Sequence, residues 1–254
     1  MSITNAFDNQ SEAILNPEHF SPTVAGFPKR CIALFNDKML KVLRENYDVT
    51  PDAFDTMHAG FVIPIYRVNF GGTEIAVYSS TIGASAAVGL FEEILSKGCR
   101  HVLFFGSCGV LDKEIAAKHL IIPTEAYRDE GTSYHYAPAD NDYIECKNAD
   151  KLAAIFDELE LPYVLGKTWT TDAIYRETRD NMEKRKDEGC VAVDMECSAL
   201  MAAAQFRKAD IYQYFYAADS LDDIEWDARV LGSLPNTARE QYIRIALEVA
   251  KRIR

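Results

Sequence analysis

Apolar residues fall into two rhythms along this chain. Runs of about four to eight, bounded by glycine, proline or polar clusters, alternate with stretches whose apolar positions recur every three to four residues. The first rhythm predicts strands at residues 31–35, 61–70, 73–80, 101–105, 120–127, 163–171, 191–193 and 211–218. The second predicts helices over 37–45, 88–95, 151–159, 179–187 and 237–253. Small residues at 197–199 and 202–204 suit a further, closely packed helix. Gly71-Gly72 between two strand-like runs predicts a hairpin, and Gly98 closes the helix before it. Gly106 and Gly109 read as a turn at the end of the 101–105 strand, and 128–136 as a polar, aromatic loop. Strands alternating with helices, with one early hairpin, predict an α/β fold with a mixed sheet. Residues 1–29 are polar, contain Pro17, Pro22 and Pro28, and read as an N-terminal arm. No repeat or linker-like tract divides the remainder, so 30–254 reads as one domain.

Composition narrows the function classes. Hydrophobic residues make up 48% of the 254, enough for a substantial core. Acidic residues outnumber basic ones 39 to 27, for a formal charge of −12. That balance argues against a nucleic-acid partner, which needs a basic footprint. A small anionic substrate held by a few local donors remains compatible with it. The six cysteines form no C-x-x-C pair and no metal-ligand rhythm with the five histidines. They read as reduced thiols in a cytoplasmic protein without a metal. The first thirteen residues lack the basic and apolar segments of a signal peptide, and no run of about 18 apolar residues predicts a membrane span.

The chemistry gathers around residues 190–200. An apolar strand, Val191-Ala192-Val193, runs directly into Asp194, Met195 and Glu196. Two carboxylates at the exit of a buried strand are costly to desolvate unless something donates hydrogen bonds to them. Adjacent sugar hydroxyls are one such partner. The other reading makes Asp194 the cap of the next helix and puts Glu196 in its first turn. Three more strand ends carry unusual residues: 81–84, 106–109 and 217–220, the last presenting Asp219. Ligands in open α/β sheets sit beyond such ends. Neither glycine turn matches a nucleotide-binding fingerprint.

Taken together, residues 79–85, 104–109, 128–138 (Arg-Asp-Glu-Gly-Thr-Ser-Tyr-His-Tyr-Ala-Pro), 171–175 (Thr-Asp-Ala-Ile-Tyr), 193–196 (Val-Asp-Met-Glu) and Asp219 resemble the nucleoside phosphorylase superfamily. That superfamily includes uridine phosphorylase, hexameric purine nucleoside phosphorylase and methylthioadenosine nucleosidase. The order of the blocks is most similar to uridine phosphorylase, from roughly residue 58 onward. The resemblance implies a three-layer αβα sandwich with a central mixed, partly barrel-like sheet, assembled as a homo-oligomer (a dimer or trimer of dimers). It implies a nucleoside substrate, inorganic phosphate as co-substrate and no further cofactor.

By the same resemblance, Glu196 holds the ribose hydroxyls and faces the developing cation, Met195 packs under the sugar, and Asp194 belongs to the ribose site. His19 is the residue lent by a neighbouring subunit to the 5′-hydroxyl, or simply an exposed arm histidine. Ile174 and Tyr175 occupy the positions of an aromatic pair that stacks on base and sugar, with Ile174 departing from the usual Phe. Asp219 aligns with the acid at N7 of a leaving purine, whereas the block pattern favours uridine. The residues that read uracil in uridine phosphorylases are replaced here by Thr178 and Asp180. Ser107, Gly106 and Gly83 keep the phosphate site's hydroxyl and backbone donors. Its three arginines are absent, their places taken by residues 35–39 (Phe-Asn-Asp-Lys-Met), Phe104 and Ala59. Lys38, Arg128, Lys167 and Arg176 are the replacement cations to consider, with Lys167 and Arg176 flanking the base. The retained donors lead us to expect phosphorolysis to ribose 1-phosphate; water as acceptor, or a catalytically silent nucleoside binder, are the alternatives.

Overall fold

The computed structural model describes residues 2–51, 56–58 and 61–254. The strands are β1 (Arg30–Leu34), β2 (Val49–Pro51), β3 (Thr56–His58), β4 (Phe61–Ile63), β5 (Ile65–Phe70), β6 (Thr73–Ser79), β7 (His101–Val110), β8 (Leu120–Asp129), β9 (Tyr143–Glu145), β10 (Tyr163–Thr171), β11 (Cys190–Asp194) and β12 (Asp210–Ser220). The helices are α1 (Asp37–Asn46), α2 (Ala84–Lys97), α3 (Ala149–Glu158), α4 (Arg179–Asp187), α5 (Cys197–Arg207) and α6 (Asn236–Arg252). Ten strands form one mixed sheet in the order β11-β10-β8-β12-β7-β1-β6-β5-β2, with β9 on β8. A further antiparallel pairing of β11 with β7, Val193 opposite Gly109, closes five of these strands into a barrel. Helices α2 and α5 pack on one face and α1, α3 and α6 on the other, each over its own apolar cluster. The architecture is the expected αβα sandwich with a partly closed sheet. Among the described residues no helix is long and apolar enough to cross a membrane.

Two sequence expectations change, each for a steric reason. The run 61–70 is not one strand: β4 pairs with β3, and β5 begins after Pro64 and forms the hairpin with β6 through Gly71-Gly72. Proline has no N–H to give a ladder, so pairing breaks there. The second change matters more. Gly106 and Gly109 do not turn the chain, because β7 continues through both to Val110. Neither has a positive φ. A Cβ on Gly106 would sit 2.9 Å from the Phe35 ring, and one on Gly109 would sit 2.7 Å from Leu221 and 2.9 Å from Val193. These glycines exist so that other groups can come close.

The arm is tied along α2. A short 3-10 turn at Pro17–His19 lies against that helix, the Ser21 hydroxyl donates to Glu93 at 2.9 Å, and the Val24 N–H donates to Lys97 O at 3.0 Å. All six cysteines are unpaired and buried.

Candidate active site

A cleft of about 630 Å³ opens at the mouth of the closed barrel. Five segments supply its walls: Ser107–Gly109 on β7, Val193–Glu196 at the end of β11, Asp219 on β12, residues 174, 175, 177–179 and 182 between β10 and α4, and the loop that follows β12. Phe35 and Ile82 close the remaining side. A register shift in β12 between Ala217 and Asp219 places Asp219 opposite Gly109 on β7. With no Cβ on Gly109, the Asp219 carboxylate lies over bare backbone.

Asp194 and Glu196 prove to have different work. The Asp194 carboxylate is 6% exposed and accepts four hydrogen bonds. The Thr168 and Thr170 hydroxyls donate to Oδ1 at 3.0 and 2.9 Å, and the N–H groups of Glu196 and Cys197 donate to Oδ2 at 2.8 and 2.6 Å. The Asp194 carboxylate thus caps the start of α5 from two residues before the N-cap position, which Glu196 holds, and its acceptor positions are filled by protein rather than by a sugar. That corrects its expected place among ribose-binding groups: it fixes the turn that aims the next two side chains. Glu196 is not in the first turn of α5. It stands just before the helix and reaches across to accept the Gly83 N–H at 2.7 Å, while Met195 lines the cleft floor.

Burial, then the neighbouring Asp194 charge, pushes the Glu196 carboxyl up to about 8. Burial and the Asp219 and Asp194 charges push Glu177, another cleft residue, up to about 7. Asp219 is raised by burial, against a Trp226 Nε1–H that donates to Oδ2 at 2.8 Å and favours the ionised form. A carboxyl raised by folding holds its proton more tightly in the fold than in the open chain. The stability tied to that proton is present below the ordinary value of 4.5 and is lost as pH rises through 7 and 8. Thermal unfolding should therefore show a higher Tm at pH 6 than at pH 8, and Glu196→Gln should flatten that slope. An equally steep slope in the variant would remove Glu196 as its source.

Sequence reasoning missed Glu177, Trp226, Phe35 and Arg179. Trp226 is a lone ring in the acidic run 222–227, where no strand or helix period calls for one, and that isolation was the available signal. Arg179 is the only lysine or arginine lining the cleft among the described residues. Its guanidinium is occupied by the carbonyls of Leu221, Asp223 and Ile224.

A family profile, that of the phosphorylase superfamily, matches residues 29–248. The chain belongs to that superfamily. A DeoD-type purine nucleoside phosphorylase of Bacillus cytotoxicus is 27% identical over 191 residues, covering 71% of this chain and 77% of that protein. An uncharacterized protein of Acanthamoeba polyphaga mimivirus is 27% identical over 158 residues, and the match spans only 60% of either chain's length. Among solved structures, a uridine phosphorylase of Vibrio fischeri superposes with a TM-score of 0.72 at 20% identity, over 94% of this chain and 97% of that one. An AMP nucleosidase of Bacteroides thetaiotaomicron does so with 0.70 at 16%, over 92% of each. Both likenesses are likenesses of fold.

Within the phosphorylase superfamily frame, the anion site implied by the resemblance is altered at nearly every point. The Gly83 N–H is taken by Glu196, and Gly106 is packed under Phe35. Ser107 keeps an exposed position on the cleft wall. Asn36 caps α1, accepting the Lys38 N–H at 2.9 Å, and the Lys38 side chain is outside the cleft. Phe104 is core, with its ring centroid 5.9 Å from Phe35 and 5.8 Å from Phe91. Ala59 lies outside the described residues.

The replacement cations are also elsewhere. Arg128 is buried in its own loop, bonded to Ser133, Ala137, Pro138 and Asn141 and stacked on Tyr134. Lys167 sits in the middle of β10, paired with Glu125 at 2.7 Å and placed over the Tyr143 ring. β10 shifts register at this point, between Lys167 and Thr168. Arg176 is exposed and not on the cleft wall. Neither Lys167 nor Arg176 therefore flanks a base in this cleft. Ile174 and Tyr175 do line it, 48% and 94% exposed at its rim. His19 bonds to its own arm at Asn16 and does not line this chain's cleft, so the role implied for it requires a neighbouring subunit.

Proposed function

We propose that the protein cleaves the N-glycosidic bond of a purine nucleoside and transfers the sugar to water. The observation that carries this reading is one cleft walled by two raised carboxyls, the half-buried Asp219 and the buried Glu196, with no unoccupied cation beside them among the described residues. On cleavage, the glycosidic electron pair leaves with the base, and the Asp219 carboxyl gives its proton to N7. Positive charge grows on the sugar ring, and Glu196 faces it with its ionised form favoured more in the transition state than before it. Water bonds to the anomeric carbon, and the proton it loses restores Asp219. A phosphate dianion would enter beside Asp194, Asp219, Glu177 and Glu196, and would meet repulsion from each of these that is ionised. A like charge about 6 Å away costs about 3 kcal/mol at an effective dielectric of about 20. The purine half of the reading accords with the Bacillus relatives, which are purine nucleoside phosphorylases by name.

One observation favours phosphate instead. A second cleft of about 510 Å³ adjoins the first through Phe35 and Ile82, and Lys41 and Arg44 of α1 line it. The hydroxyls of Ser80 and Thr81 also line it, buried and without partners among the described residues. Incubation with inosine, adenosine, guanosine and uridine, each with and without phosphate, separates the readings. Free ribose formed at equal rates in both buffers is the expected result. Strict phosphate dependence with ribose 1-phosphate as product would move the acceptor to the second cleft.

A further inference from the structure

The substrate loop carries Ile174 at a position where the resemblance implies an aromatic ring. Across the cleft the loop after β12 carries a ring that the described residues leave largely open. Trp226 lines the cleft and is 61% exposed, and the acidic run around it offers no core. Burying so large an apolar side chain is strongly favourable, so an open indole beside a cavity is a surface prepared for a partner. The ring is held from outside. Arg179 grips the loop's carbonyls, Lys186 pairs with Asp222 at 2.6 Å, and the indole N–H donates to Asp219 Oδ2 at 2.8 Å. That bond also has a chemical consequence. With Oδ2 accepting from Trp226, the carboxyl proton is left to Oδ1, the oxygen 3.5 Å from where a Gly109 Cβ would be.

We infer that Trp226 forms the base-stacking wall of the cleft and, through its indole N–H, fixes which oxygen of Asp219 carries the proton. The second half rests on the proposed glycosidic cleavage; stacking of a free base does not. Trp226 is a positioning residue for the proton, acting through Asp219. The other groups facing that carboxyl are Glu177 from the substrate loop, Cys108 from β7, and Asp227 and Arg229 from the loop beyond Trp226.

The chain has only two tryptophans, and the other, Trp169, is 1% exposed with its N–H on Asp129. Emission changes on adding hypoxanthine, adenine or uracil therefore report on Trp226. Saturable quenching by a purine base is expected, and it should vanish in Trp226→Phe. By calorimetry, Trp226→Ala should weaken base binding about 10-fold or more, and Trp226→Phe should recover most of it, since any aromatic face stacks. With its indole donor gone, Trp226→Phe should also move the alkaline limb of the pH–kcat/KM profile to higher pH, because the lost donor favoured the ionised carboxylate. Bases that bind without altering Trp226 emission, or that bind Trp226→Ala as tightly as the parent, would overturn the inference, as would failure of every base to bind. An unshifted pH limb in an active Trp226→Phe would overturn the proton assignment. If bases bind through Trp226 yet no nucleoside is cleaved, the proposed function falls and the stacking wall stands.

Discussion

Glu196→Gln should lower kcat by about 10²–10³-fold or more, with little change in Tm at pH 6. The size is that of losing one preorganised electrostatic contact to the transition state. Glutamine keeps a carbonyl oxygen to accept the Gly83 N–H, so the start of α2 stays anchored. It cannot become the anion that a developing sugar cation requires. Glu196→Ala should show the same kinetic loss plus some loss of stability, because the Gly83 N–H is then left without its protein acceptor. Comparing the two variants separates the chemical role from the structural one. Near-normal turnover by a folded Glu196→Gln would end the assignment.

For Asp219→Asn the expected loss on inosine is about 10²–10⁴-fold in kcat, the range for removing a general acid. Asparagine retains an acceptor for the Trp226 N–H, so the loop should stay in place and KM should change less than kcat. Uridine provides the control, since uracil has no ring nitrogen where a purine has N7. Uridine turnover that exceeds inosine turnover and barely responds to the substitution would refute the purine reading.

Much of this molecule could be read from one-dimensional pattern. The alternation of apolar runs and amphipathic stretches located nearly every major strand and helix, because each buries one face against a neighbouring layer. Closure of the barrel could not be seen that way, since Val193 meets Gly109 across a long stretch of chain. The same blindness explains the misread glycines. Gly106 and Gly109 look like a turn locally, and only Phe35, Leu221 and Val193 reveal them as places of close approach. At the site, the places of Glu196, Met195 and Asp219 on the cleft wall were legible because they lie at the ends of buried strands. Asp194 was half legible: both of its proposed roles fitted the sequence, and four specific donors decided between them. The cations were the least legible. Whether Arg128 or Lys167 faces a ligand depends on a loop's internal bonds and on a register shift, neither of which leaves a periodic trace.

The anchoring of the loop after β12 bears on how such a protein changes over evolutionary time. Arg179 holds that loop by main-chain oxygens at positions 221, 223 and 224, and every residue type presents a main-chain oxygen. Ile224, 99% exposed, is therefore free to drift without loosening the tether. Substitutions that reshape the mouth of the cleft while keeping Trp226 need not displace Asp219, which is set in the sheet itself. New substrate preferences can arise by exchange within one short surface segment, while the acid and its strand are inherited unaltered.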